Sequence, residues 1–227
     1  MKIYNLIILD QSGSMNSLRE EAINGCNATF DTILKSQKEV TDQEHLVTLV
    51  TFNTMDINTI FESMPIIQVE PLTRKTYRPT AGTPLYDALG NTLTALSEKL
   101  KNEDPTTYSV LVTIITDGLE NASTEYTSSA IKTLIEELSD EGWLFSYIGA
   151  DHDVEESAAR LSITNTLEFE KSSSGINKMW ETDQLSRMNF YQTLSMTKWD
   201  NDAEKRKMQR AELNKEYFEK IKNQNKK

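Results

Sequence analysis

Strand-like apolar runs alternate with helical periods through the first three quarters of this chain. That alternation predicts an α/β fold, a Rossmann-like three-layer domain with a mainly parallel central sheet and a C-terminal helical extension. Two further observations support it. The run Ser109-Val-Leu-Val-Thr-Ile-Ile-Thr116 is rich in β-branched residues with few polar breaks, as suits a central parallel strand covered on both faces. At 227 residues the chain can also bury a good core without disulfide or zinc staples.

The elements follow in order. Residues 3–9, Ile-Tyr-Asn-Leu-Ile-Ile-Leu, read as a buried strand. A helix is expected from about 17 to 38. Ser17 and Glu20 have capping-box spacing there, and Leu18, Ala22, Cys26, Phe30, Ile33 and Leu34 share one face. Strands are expected at 45–52 and 57–64. Pro65 marks the second as an edge strand, and one antiparallel edge strand is expected in the sheet. A polar, turn-prone stretch runs from 68 to 83. Pro84 then opens a helix to about 101, lined by Leu85, Leu89, Leu93, Leu96 and Leu100. The strand 109–116 is followed by a helix carrying Ile131, Leu134, Ile135 and Leu138, with Gly142 as its stop. A strand at 143–149, a short helix at 153–161 and a strand near 164–169 complete the pattern. The expected division is a domain over 1–170, a linker and packed helix over 171–197, and a charged helical tail over 198–227.

Charge and composition narrow the function. The net charge of −11 argues against a nucleic-acid-binding surface. Ten Lys and Arg against six Asp and Glu give residues 198–227 a charge of +4, so the remainder carries −15. Cys26 is the only cysteine, on the apolar side of a helix, and reads as a buried free thiol. No apolar segment approaches the ~20 residues that span a bilayer. The first residues enter a strand without a basic-then-apolar leader, so a cytoplasmic chain with no membrane contact is expected.

The chemistry gathers at strand ends. Asp10, Ser12 and Ser14 stand two residues apart just where the first strand finishes, and Gly13 lets the backbone bend between the hydroxyls. Three oxygen side chains converging there suit a small hard cation such as Mg²⁺; a helix-capping loop is the simpler alternative. Asp117 ends the strand 109–116 in the same way, followed by Gly118. If the two strands are neighbours, the carboxylates approach each other, and a shared divalent cation removes their repulsion. In α/β sheets the ligand crevice lies beyond the carboxyl ends of the strands, where both acids are. Thr83 precedes Pro84 and fits two roles, capping the helix or pointing into that crevice.

Asp10-x-Ser12-x-Ser14, then Thr83, then Asp117-Gly118 resembles the metal-ion-dependent adhesion site (MIDAS) of von Willebrand factor A (VWA) domains, including the inserted domains of integrins. The surrounding Ser-Gly-Ser-Met, Thr-Pro-Leu-Tyr-Asp87-Ala-Leu and Thr-Asp-Gly look like standalone bacterial members, and the resemblance covers about residues 1–170. It implies that Ser12, Ser14 and Thr83 offer neutral hydroxyls and that Asp10 and Asp117 reach the metal directly or through water. It implies Mg²⁺, with Mn²⁺ or Ca²⁺ as substitutes, and a vertex that an Asp or Glu of a partner protein completes. The partner class it suggests is an AAA-type ATPase or a stress-response complex. Gln11, Asn16 and Gly118 read as outer groups or partner contacts, or as ordinary turn residues. Asp87, one helical turn from Thr83, reads as a solvated helix acid.

A second reading is a Mg²⁺-dependent phosphohydrolase of the haloacid-dehalogenase type, with Asp10 as nucleophile and Asp151-His152-Asp153 supplying later acids. Ser12 stands where the general acid of such enzymes is expected, which removes the leaving-group proton donor. Asp153, with Glu156 three residues on, reads as a helix N-cap. His45 reads as structural or exposed and His152 as solvent-facing. No Ser-His-Asp arrangement follows from spacing, and the phosphate-cradling Gly-rich loop with its Lys is absent. A non-enzymatic binding module is therefore expected. In the tail, 202–222 reads as a charged helix with a narrow stripe of Leu213, Tyr217 and Ile221 and Phe218 beside it. That stripe suits docking on the chain's own domain or on a partner.

Overall fold

The computed structural model describes residues 1–150, 153–215, 217–219 and 221. The elements run β1 (Lys2–Asp10), α1 (Arg19–Glu39), β2 (Glu44–Asn53), β3 (Asp56–Pro65), α2 (Leu85–Leu100), β4 (Tyr108–Thr116), α3 (Ser128–Asp140), β5 (Leu144–Ala150), α4 (Val154–Arg160), β6 (Asn165–Phe169), α5 (Ser173–Met196) and α6 (Ala203–Lys215). Six strands form one sheet in the order β3-β2-β1-β4-β5-β6. All pairs are parallel except β2 with the edge strand β3, the antiparallel edge that the sequence predicts.

Strand alternation divides the core into two layers. Ile3, Ile7 and Leu9 of β1 face α1 and α5, where they meet Cys26, Phe30, Ile176 and Trp180. Tyr4, Leu6 and Ile8 face the opposite way, onto Leu85 and Leu89 of α2, Ile131 and Ile135 of α3 and Val154 of α4. Burial lifts the Cys26 thiol to about 12, against the charge of Arg187, so it is an inert core residue as expected. Gly142, at φ 95°, ends α3 in the left-handed region that favours glycine.

The connectivity places a crevice. From β1 the chain steps outward to β2 and β3, then crosses to β4 on the other side of β1. The carboxyl ends of β1 and β4 are thus the topological switch point, where α/β sheets leave room for ligands. Leu9 pairs with Ile115, which brings Asp10 and Thr116 level at that edge.

Three local expectations are corrected. The chain first makes a 3-10 turn over Gly13–Leu18, so α1 begins later, at Arg19. Leu18 takes the N-cap position without a side-chain cap, and Ser17 Oγ instead donates to Ser14 O at 3.3 Å. Burial of Met15 and the Gly13 N–H donating to Ala81 O hold that turn inward, which precludes the Ser17–Glu20 capping box. Pro84 occupies the N-cap position of α2 rather than the first helical one, and Thr83 does not cap. Asp87 is not solvated. It is buried and accepts hydrogen bonds from the Thr124, Glu125 and Tyr126 amides at 2.8–2.9 Å, clamping the loop after β4 onto α2. Burial opposes its charge, but the amide donors outweigh that and hold its carboxyl below the ordinary aspartate value.

A buried polar network ties the C-terminal part to the sheet. Arg187 of α5 is fully buried, donates from Nε to Asp183 Oδ2 at 2.6 Å and reaches Thr113 Oγ1 of β4 at 2.7 Å. Burial disfavours the guanidinium charge, yet the Asp183 carboxylate more than compensates, so the Arg187 pKa is raised. Tyr217 of the tail donates to Asp183 Oδ1 at 3.0 Å, and Tyr191 donates to Asn5. His45 stands edge-on to Tyr191; burial, and then the Arg187 charge, lower its pKa to about 4, so it is a neutral structural histidine. Within the expected 202–222, α6 spans Ala203–Lys215, a turn follows at 217–218, Glu219 and Ile221 are again helical, and residues 216, 220 and 222 lie outside the described residues. Tyr217, Phe218 and Ile221 are buried, and Leu213 packs against the α1–α5 layer, so the stripe is covered by the chain's own core.

Replacing Arg187 with Met leaves a buried carboxylate unpaired and is expected to cost about 3–5 kcal/mol, while Asp183→Leu with Arg187→Met costs less than the two single changes together. Urea denaturation of the three variants checks this, and simple additivity would contradict the pairing. Asp87→Ala is expected to cost about 2–3 kcal/mol and to speed amide exchange at residues 124–126. With a folded pKa below the unfolded one, the contribution of Asp87 is complete above about pH 4 and is lost as pH falls through the lowered value. Asp87→Asn should therefore flatten the acid limb of the stability profile; an unchanged limb would contradict the clamp.

Candidate metal centre

Asp10 is the last residue of β1 and is fully buried. Its two carboxylate oxygens are held differently. Oδ1 accepts the Ser12 N–H at 2.6 Å, and Oδ2 accepts the Thr116 hydroxyl at 2.6 Å. The main-chain carbonyl of Asp10 accepts Tyr77 OH at 2.7 Å. Burial raises the Asp10 pKa to about 6; the Thr116 and Ser12 hydrogen bonds pull against this, and the Asp117 charge adds to it. A carboxylate so placed gains from a nearby positive charge.

The remaining motif oxygens lie alongside. Ser12 Oγ and Ser14 Oγ are 3.0 Å apart, and Ser14 Oγ donates to Asp117 Oδ1 at 2.6 Å. A Cβ built on Gly118 would stand 3.9 Å from both Ser14 Oγ and Thr83 Oγ1, so three distant segments meet around that glycine. Thr83 is buried, its N–H donates to Asn121 Oδ1 at 2.9 Å, and no side chain caps α2. Asp117 is buried. Among the described residues its Oδ2 has no hydrogen-bond partner, but it lies 2.8 Å from Lys171 Nζ, an ion pair without hydrogen-bond alignment.

Gln11 ties loops together. Its N–H donates to Phe52 O, its carbonyl accepts Thr80 N–H, and its Oε1 accepts Arg78 N–H at 3.2 Å. Asn16 is exposed on the 3-10 turn. Asp153 caps α4, accepting Glu156 N–H at 2.8 Å as its spacing predicts. Asp151 and His152 lie outside the described residues.

Sequence reasoning missed four supporting residues. Thr116 directly precedes Asp117 and orients Asp10. Tyr77, the lone aromatic in the polar stretch 68–83, is fully buried beneath the site. Asn121 holds Thr83 from the loop clamped by Asp87. Lys171 stands fifty-four residues after Asp117 in a bend, with no pattern to single it out.

The donor set is all oxygen, two carboxylates and three hydroxyls, which fits a hard divalent cation such as Mg²⁺ rather than a thiophilic metal. Among the described residues no group of three or more His, Cys, Asp or Glu could hold a metal, so hydroxyls must complete any shell here.

No family model matches the sequence, and neither does any curated protein sequence. Solved structures do match. A von Willebrand factor type A protein from Catenulispora acidiphila aligns with TM-score 0.54 at 14% identity, over 82% of this chain and 43% of its own. The SpRpn10 VWA domain aligns with TM-score 0.53 at 9% identity, over 81% of this chain and 94% of that one. The pilus adhesin SpaC from Lactobacillus rhamnosus GG, in its open conformation, aligns with TM-score 0.58 at 12% identity, over 84% of this chain and 30% of its own. The chain thus spans less than half of the first protein and under a third of the last. At these identities the likeness concerns the fold alone: the chain has the three-layer α/β architecture of von Willebrand factor A-type domains.

Proposed function

We propose that this chain is a non-enzymatic, divalent-metal-dependent protein-binding module of the MIDAS type, acting in the cytoplasm of a bacterial cell. One observation carries the reading: Asp10 and Asp117, both buried, are linked by the chain of contacts Asp10–Ser12–Ser14–Asp117 at the switch point of the sheet. Burying two carboxylates side by side is costly without positive charge. Ser12, Ser14 and Thr83 are the hydroxyls that would hold the ion, with Asp10 and Asp117 balancing its charge. When bound, Mg²⁺ would supply a Lewis-acidic vertex for a carboxylate oxygen. The chain's own part is to hold five oxygens in place. Thr116 and the Ser12 amide fix Asp10, Asn121 fixes the backbone of Thr83, and Asp87 fixes the loop that carries Asn121.

The ligand this site suits is an Asp or Glu of a partner protein. The fold's occurrence in a pilus adhesin supports a binding role. The resemblance in the motif residues extends the proposal to an AAA-type ATPase or stress-response complex as partner class.

The test is capture of partners from the source cell on wild type and on Asp10→Ala and Thr83→Ala, with Mg²⁺ and with chelator. Wild type with Mg²⁺ should retain a partner that all other conditions lose. Removing the partner's acidic residue should cost about 2–4 kcal/mol, roughly 30- to 1000-fold in affinity. Equal capture throughout would reject metal-bridged recognition.

A further inference from the structure

The Asp10–Asp117 cluster has a positive charge of its own beside it. Lys171 Nζ lies 2.8 Å from Asp117 Oδ2, with the lysine side chain 26% exposed and the aspartate fully buried. An ion pair half sunk into a site is screened less than one on the surface. The lysine is also delivered from a braced turn. Lys171 lies between β6 and the N-cap of α5, Ser172, whose hydroxyl accepts the Gly175 N–H at 3.1 Å. The Ser172 N–H donates to Glu170 O at 2.7 Å. Gly175 packs so closely on Glu170 that a Cβ there would stand 2.2 Å from its carbonyl oxygen. Ser173 hydrogen-bonds Glu21 of α1, which anchors the start of α5 to the neighbouring helix.

We propose that Lys171 is a built-in counter-ion of the candidate metal centre: its ammonium neutralises part of the Asp10–Asp117 charge and competes with the divalent ion for it. The inference rests on the MIDAS reading above. Charge counting gives it content. Asp10, Asp117 and Lys171 together carry one net negative charge. Adding a divalent ion makes the site a net monocation, and one carboxylate from a partner then makes it neutral. Without Lys171 the ion alone neutralises the site, and a partner's carboxylate leaves it negative. Lys171 therefore weakens metal binding and strengthens the preference of the loaded site for an anion, because unit charges a few ångströms apart interact strongly in a partly buried setting.

Calorimetric titration of Mn²⁺ into metal-free wild type, Lys171→Met, Lys171→Gln and Lys171→Arg tests the competition. Both neutral variants are expected to bind Mn²⁺ about tenfold more tightly than wild type, with Lys171→Arg close to wild type. Thermal unfolding gives an independent readout: without metal the neutral variants should melt below wild type, and with saturating Mn²⁺ that gap should close or reverse. Acetate titrated against the Mn²⁺-loaded proteins, followed by water-proton relaxation, should displace bound water at lower concentration in wild type than in Lys171→Met. Equal or weaker Mn²⁺ binding by the neutral variants, with wild type still binding, would overturn the counter-ion role and leave the metal centre standing. No difference between wild type and Lys171→Met with acetate, or the reverse order, would overturn the anion preference. Failure of every protein to bind Mn²⁺ would overturn both this inference and the reading beneath it.

Discussion

Two aspartates set at the ends of adjacent parallel strands impose the constraint on which this molecule turns. Parallel pairing of β1 with β4 leaves Asp10 and Asp117 near each other at the edge where the strand order reverses, both shielded from water. Thr116 and the Ser12 amide donate to Asp10, Ser14 donates to one oxygen of Asp117, and the Lys171 ammonium forms an ion pair with the other. Burial raises the Asp10 pKa while the Thr116 and Ser12 hydrogen bonds lower it. The proposed divalent cation would add positive charge at this edge.

The rest of the fold serves that edge. Asp87 appears to the eye as one more acid on a helix, yet it accepts three consecutive amides and so fixes the loop that follows Asp117. Tyr77 plugs the space beneath Asp10 from a loop without regular secondary structure. On the far side of the core, the Arg187–Asp183 pair fastens α5 to β4, and Tyr217 fastens the tail to that pair. Buried ion pairs of this kind add little net stability compared with apolar packing, but they penalise any arrangement that separates the partners.

Much of this was legible in the residues. The strands announced themselves because β1 and β4 are buried on both faces and so carry apolar runs with few polar breaks, and the order of elements left few topologies to choose from. The motif oxygens were legible because Asp10-x-Ser12-x-Ser14 and Asp117-Gly118 each sit at a strand's end. What escaped was set by tertiary contact. Ser17 and Glu20 have the spacing of a capping box, but the 3-10 turn that buries Met15 takes precedence over that local preference. Asp87 was misread because helical spacing says nothing of a loop returning thirty-seven residues later. Lys171 approaches Asp117 only through the packing of β6 and α5, and an isolated lysine in a bend leaves no trace in a sequence pattern.

Anomalous diffraction from a crystal grown with Mn²⁺ addresses the metal centre most directly. The account expects a single strong peak within coordination distance of oxygens from Ser12, Ser14 and Thr83, flanked by Asp10 and Asp117, with a vertex open to solvent or filled by a neighbouring carboxylate. A map without a peak there, in crystals that hold Mn²⁺ in solution at millimolar level, would contradict it.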